Sequence, residues 1–200
     1  MRPTLAALVA LAIYSAEGQP TPADPLGELR KSFTVDGKPV PPEIFADFGD
    51  SDLADSAPVV VTIDARAATG SNRYADPIRK RGRWVIQTKA NDKVLNGAEE
   101  TAYEYLGATR NGLLIVVASY NGGGSGTFHT LHILDAASAP AFDTDGKAYE
   151  RLNLTVLRSV PLGDRWDGTV AVSGNTVRIT SFESGPAKGV APASIEARRP

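Results

Sequence analysis

The sequence predicts an all-β fold: an antiparallel meander closing into a barrel or a two-sheet sandwich, with one short helix near residues 41–48. Three observations lead there. Short apolar runs recur between clusters of Gly, Asn, Asp and Pro, and beyond the N-terminal stretch no segment keeps a helical period. Three dipeptides, Asn111-Gly112, Asp145-Gly146 and Gly174-Asn175, have the composition of two-residue hairpin turns that need positive φ.

The chain begins with Arg2, an apolar run from Leu5 to Tyr14, and then small residues including Ala16 and Gly18. That order predicts a secretory signal peptide over residues 1–18, cut after Gly18. The run is about half of the roughly 20 residues that span a bilayer, so no transmembrane segment is expected after its removal. A periplasmic or secreted location follows. Residues 19–30, with Pro20, Pro22 and Pro25, read as a loose segment. Residues 31–184 form a single all-β domain, and 185–200, with Pro186 and Pro192, a mostly irregular tail.

Within the domain, Pro41-Pro42 can open a helix whose Ile44, Phe45 and Phe48 share a face. Val59–Arg66 alternates so that Val61, Ile63 and Ala65 face inward. Trp84–Gln87 and Leu152–Val156 are strands. Leu113–Ala118 is apolar on both faces and belongs inside a sheet covered on each side. At Gly174-Asn175 the register can be read directly. Pairing Ser173 with Thr176 sets Val172 opposite Val177 and Val170 opposite Ile179, with all four apolar side chains on one face.

Charge and composition exclude several functions. The formal net charge is −2, and the basic run Arg79-Lys80-Arg81 with Arg83 is short and reads as a solvated loop, so no nucleic-acid partner is expected. Cysteine is absent, which removes disulfides, thiol catalysis and an N-terminal lipid anchor on Cys. His129 and His132, three apart on a strand, point to opposite faces and cannot share a metal. The acids Asp47, Asp50, Asp52 and Asp55 match no calcium-loop spacing, and neither does Asp143-Thr144-Asp145-Gly146. No phosphate loop, nucleophile elbow or zinc motif is present, so neither a cofactor nor a metal is expected.

Two segments remain where a ligand could be met. In Tyr120-Asn121-Gly122-Gly123-Gly124-Ser125-Gly126-Thr127, successive glycines let backbone N–H groups converge on an anion or a ligand oxygen, although a plain hairpin connection explains them as well. In Gly163-Asp164-Arg165-Trp166-Asp167-Gly168, a Trp beside acids and Arg can stack on a sugar, or it can simply close the end of the core. The candidate ligand-binding residues are therefore Tyr120, Asn121, Gly123, Ser125, Asp164 and Trp166, and no catalytic residue is nominated. The expected function is an exported cell-envelope binding or structural module, its partner an envelope ligand or protein. The alternative is an envelope glycan hydrolase using carboxylates near loops 120–127 and 163–168.

Overall fold

Six apolar residues in a row cannot lie at a surface, and Leu113–Ala118 accordingly sits at the centre of the molecule. A computed structural model describes residues 24–48, 60–90, 97–180 and 192–199. Its helices are α1 (Pro25–Ser32), α2 (Ile44–Asp47) and α3 (Ala65–Ala68). Its strands are β1 (Thr34–Val35), β2 (Lys38–Pro39), β3 (Thr62–Asp64), β4 (Ile78–Arg81), β5 (Trp84–Ala90), β6 (Ala98–Ala108), β7 (Leu114–Asn121), β8 (Phe128–Phe142), β9 (Ala148–Asp164), β10 (Thr169–Ser173), β11 (Thr176–Thr180) and β12 (Ala193–Glu196).

Strands β4 to β9 form a meander in which each pairs antiparallel with the next, and β3 adds beyond β9. The seven-stranded order is β3-β9-β8-β7-β6-β5-β4, with β7 in the middle. Among the described residues this sheet stays open, with β3 and β4 as its edges. A second sheet, β10-β11-β12, covers one face, which makes the molecule a sandwich rather than a barrel.

Alternation along β7 divides the core. Leu114, Val116 and Ala118 face a helix-side core with Leu29, Phe33, Ile44, Phe45 and Phe48. Leu113, Ile115 and Val117 face the inter-sheet core with Val177, Ile179 and Ile195. Each buried Val, Leu or Ile contributes about 1.5–3 kcal/mol. The period-2 alternation means that neither layer can be shed without exposing half of β7. The β10–β11 register is the expected one, Ser173 opposite Thr176, Val172 opposite Val177 and Val170 opposite Ile179.

The turn chemistry differs in detail from the two-residue I′ expectation. At Gly174-Asn175 only Gly174 has positive φ, 61°, the type II′ arrangement that puts Gly first. Asn111-Gly112 lies in a longer connection: Thr109 N–H donates to the Leu113 carbonyl at 2.8 Å, and Gly112 alone takes positive φ, 83°. Asp145-Gly146 sits in the loop 143–147 that follows the Phe142–Ala148 pair, with Gly146 at φ 76°. In both longer loops one αL glycine completes the turn, and no second residue needs positive φ.

Three other expectations are corrected. The supposedly loose 19–30 segment contains the start of α1: the Asp24 side chain accepts from Gly27 N–H at 2.9 Å, and Pro25 occupies the first turn. Burial of Leu29 and Phe33 then holds the helix down; residues 19–23 lie outside the described residues. The Val59–Arg66 strand is short, ending at Asp64, which still pairs with Asn153 while its side chain caps α3 through the N–H groups of Arg66 and Ala67. Ile63 and Ala65 are buried as expected, but Val61 is 55% exposed. Arg79-Lys80-Arg81 forms an edge strand, not a loop, paired along its length with β5. Within the tail, expected to be mostly irregular, one short strand forms: β12 pairs with β11 and buries Ile195 between the sheets.

Polar ties fasten the periphery. Glu28 of α1 accepts from the Thr34 hydroxyl at 2.7 Å and from Gly37 and Asp36 N–H at 2.8 and 3.1 Å, closing the β1–β2 hairpin onto the helix. The Thr34 bond, followed by the Gly37 bond, holds the Glu28 carboxyl below its usual range. At the other end, Arg199 grips Asp135 through two nitrogens at 2.8 and 3.0 Å and donates to the Asn111 carbonyl at 2.9 Å. Asn111 in turn reaches Asn175 and Ala197. The leader over residues 1–18 lies outside the described residues, among which no helix is long and apolar enough to cross a membrane.

Candidate functional site

The helix side of the large sheet is only partly filled by apolar packing. Past Tyr103 and Ala118 the same face continues with polar residues. Gln87, Thr101 and Tyr120 sit opposite one another on β5, β6 and β7, and Lys89 sits opposite Glu99 on the next rung. This is the floor of a cleft of about 100 Å3. Its walls are Glu43, Ala46 and Asp47, in and beside α2, with Arg73 and Tyr74.

Gln87 holds both walls to the floor. It is 1% exposed. Its Nε2 donates to the carbonyls of Tyr74 and Asp76, both at 2.8 Å, and its Oε1 accepts from Glu43 N–H at 3.2 Å. A buried amide with every group paired fixes geometry that a loop alone would not keep. Helix α2 is anchored from below, where Phe45 and Phe48 rest on the His132 ring at centroid separations of 5.3 and 6.4 Å.

Charges of both signs converge on the cleft. Asp47 accepts from the Arg73 guanidinium at 2.7 Å and from the Tyr74 hydroxyl in a short hydrogen bond. The guanidinium carbon lies 4.7 Å from the Tyr74 ring centre. Burial, reinforced by the Asp47 hydrogen bond, pushes the Tyr74 phenol up to about 12. Glu43 faces Lys89 at 3.7 Å, too long for a hydrogen bond, and burial pushes its carboxyl above the usual carboxylate range. Burial also raises the Tyr120 phenol, with the Glu99 carboxylate beside it adding to the shift. The arrangement offers carboxylate acceptors, an ammonium donor and a phenol around one small concavity.

Of the six candidate ligand-binding residues, Tyr120 alone lines this cleft. The others belong to a second place, where the loop after β7 meets the turn after β9. Asn121 Nδ2 donates to the Thr127 hydroxyl at 3.1 Å, and its Oδ1 accepts from Gly123 N–H at 2.8 Å. Asp164 Oδ1 accepts from Thr127 N–H at 2.7 Å. Arg165 donates to the Ser125 carbonyl through Nε at 3.2 Å, and to the Thr127 carbonyl through its backbone N–H. The two loops are thus brought together, but Asn121, Asp164 and the Gly123 N–H are engaged within the pair. Trp166 packs, half-buried, on the inter-sheet core, near His129 at 6.3 Å. A Cβ on Gly168 would lie 2.6 Å from its ring.

His129 and His132 do point to opposite faces, His129 toward Trp84 and Trp166 and His132 toward α2. Of the acid cluster, Asp47 is the cleft residue, while Asp50, Asp52 and Asp55 lie outside the described residues. Glu43, Arg73, Tyr74, Gln87, Lys89, Glu99 and Thr101 were not legible as site residues. They come from separate stretches, and only sheet register and the seat of α2 bring them together. Among the described residues no group of three His, Asp or Glu side chains is placed to hold a metal ion. Comparison with protein-family models, with curated proteins and with solved structures gives no match to this chain.

Proposed function

We propose that this chain is an exported cell-envelope binding module whose ligand seat is the cleft between α2 and strands β5–β7. One observation carries the reading: polar groups from five separate stretches line a single concavity, three aligned by strand register and two tied down by the buried Gln87 amide. Sites of this kind, small, concave and lined by a few oriented polar groups beside an aromatic ring, suit small polar ligands. Carboxylates at Glu43 and Glu99 accept from hydroxyl or ammonium groups, and Lys89 donates in return. A monosaccharide or amino sugar matches that chemistry.

Thermal unfolding of the wild type with neutral monosaccharides and amino sugars tests the reading. A ligand at about 100 times its Kd adds roughly 2.7 kcal/mol, which raises Tm by roughly 5–10 °C at this chain length. Glu43→Gln and Tyr120→Ala are expected to abolish the shift, whereas Ser138→Ala, on the far hairpin, is expected to retain it. A panel without any shift, or a shift that survives both cleft variants, would refute this seat. The raised Glu43 carboxyl favours one second reading, a carboxylate hydrolase. Turnover of an oligosaccharide by the wild type and its loss in Glu43→Gln would decide for it.

Export is proposed on the apolar run behind Arg2 and the small residues up to Gly18. Protein recovered from a bacterial periplasm is expected to have an intact mass lacking residues 1–18. Recovery of only the full-length chain from the cytoplasm would contradict it.

A further inference from the structure

We infer that the open edge of β4 is a docking edge for an acidic extended peptide, which adds to the large sheet as a further antiparallel strand. β4 is the terminal strand of the seven-stranded sheet, and all four of its residues, Ile78–Arg81, are exposed. An edge strand leaves backbone donors and acceptors on its outer side without a ladder partner, and extended peptides bind such edges through main-chain hydrogen bonds.

Charge selects the occupant. Arg79, Lys80 and Arg81 lie on the strand, and Arg83 follows in the turn to β5. Glu100 takes Arg79 in a hydrogen bond and lies 4.0 Å from Arg81; Glu104 lies 2.8 Å from Arg83. Four cations therefore face two carboxylates, and no ion pair engages Lys80 among the described residues. The side chains of Arg81 and Arg83 remain 74% and 81% exposed. Such an edge repels a second copy of itself, the usual protective effect of basic edge residues, and the same field attracts an acidic strand.

Alternation sets the pattern of the partner. Lys80 and Ile78 lie opposite Val85 and Gln87, on the α2 side of the sheet, and Arg79 and Arg81 lie on the other. An antiparallel addition therefore places acidic residues opposite Arg81, Lys80 and Arg79 in turn, and an apolar residue opposite Ile78. Read from its N-terminus, the partner runs acidic, acidic, acidic, apolar.

The test is fluorescence polarisation with the intact protein at low salt and a labelled peptide of core Thr-Glu-Glu-Glu-Val-Thr. Saturable binding is expected, weakened about tenfold by Lys80→Glu or Arg81→Glu, since reversal replaces attraction with like-charge contact, and weakened again by added salt. Unchanged Tm values would show both variants to be folded. The same peptide N-methylated at alternate residues keeps its charges but loses ladder donors, and is expected not to bind. Equal binding of the N-methylated peptide would reduce the effect to charge alone and overturn strand addition. The proposal is also overturned by absence of binding, by indifference to both charge reversals, by equal affinity for a single-stranded oligonucleotide, or by dimerisation without peptide.

Discussion

Replacing Phe33 with Ala is expected to lower the unfolding free energy by about 3–5 kcal/mol, the cost of emptying a large buried aromatic site. Phe33 is 0% exposed and is the hub of the helix-side core, with ring centroids 5.2 Å from both Tyr103 and Tyr105 and 6.2 Å from Phe45. It also ends α1 in the left-handed region, at φ 55°, a conformation that costs a bulky residue free energy. The ring must therefore stabilise more than its backbone costs. Its loss leaves α1, the β1–β2 hairpin and α2 without their common anchor. The denaturant midpoint of Phe33→Ala measures the effect, and Phe33→Leu, which keeps most of the volume, is expected to lose about 1 kcal/mol. A loss in Phe33→Ala no larger than that of the Leu variant would show that the three elements are held elsewhere.

Acid is expected to destabilise the fold through His132. This residue is 4% exposed, its Nδ1 lies 2.9 Å from the Ser159 hydroxyl, and Phe45 and Phe48 cover its ring. Burial pushes its pKa down from 6.5 to about 4. The unfolded chain takes up this proton near pH 6.5 and the folded chain only near pH 4, so between these values the unfolded state binds more protons. Stability is then full above about pH 6.5, falls as the pH drops through that window, and reaches its lower level below about pH 4. The total loss is about 3 kcal/mol at 1.4 kcal/mol per pH unit. Burial depresses His129 in the same direction and raises Glu43. The comparison to make is therefore the pH dependence of the wild type minus that of His132→Leu. A difference with no slope between pH 6.5 and 4 would rule His132 out. Because α2 stands on this ring, the acid-weakened region includes the wall of the cleft.

What the sequence determined by itself was set by local periodicity. Six consecutive apolar residues could only be a doubly covered strand, and β7 is the central one. Val170, Val172, Val177 and Ile179 could share a face in one register, and they do. Two histidines three apart on a strand could only diverge. In each case a backbone repeat of two converts spacing directly into direction, with no help from distant residues. Tertiary structure decided whatever depended on where backbone groups find partners. Asp64 could have continued a strand, but its carboxylate caps α3 while also receiving the Tyr149 hydroxyl and Leu152 N–H. Residues 193–196 carry no strong strand pattern, yet the open edge of β11 and the inter-sheet core recruit them. The cleft is the clearest case. Glu43, Tyr74, Gln87, Glu99 and Tyr120 span nearly 80 positions of the chain, and each alone reads as an ordinary polar residue. Cross-strand register aligns three of them and the buried Gln87 amide holds the other two in place, and neither constraint exists until the meander has formed.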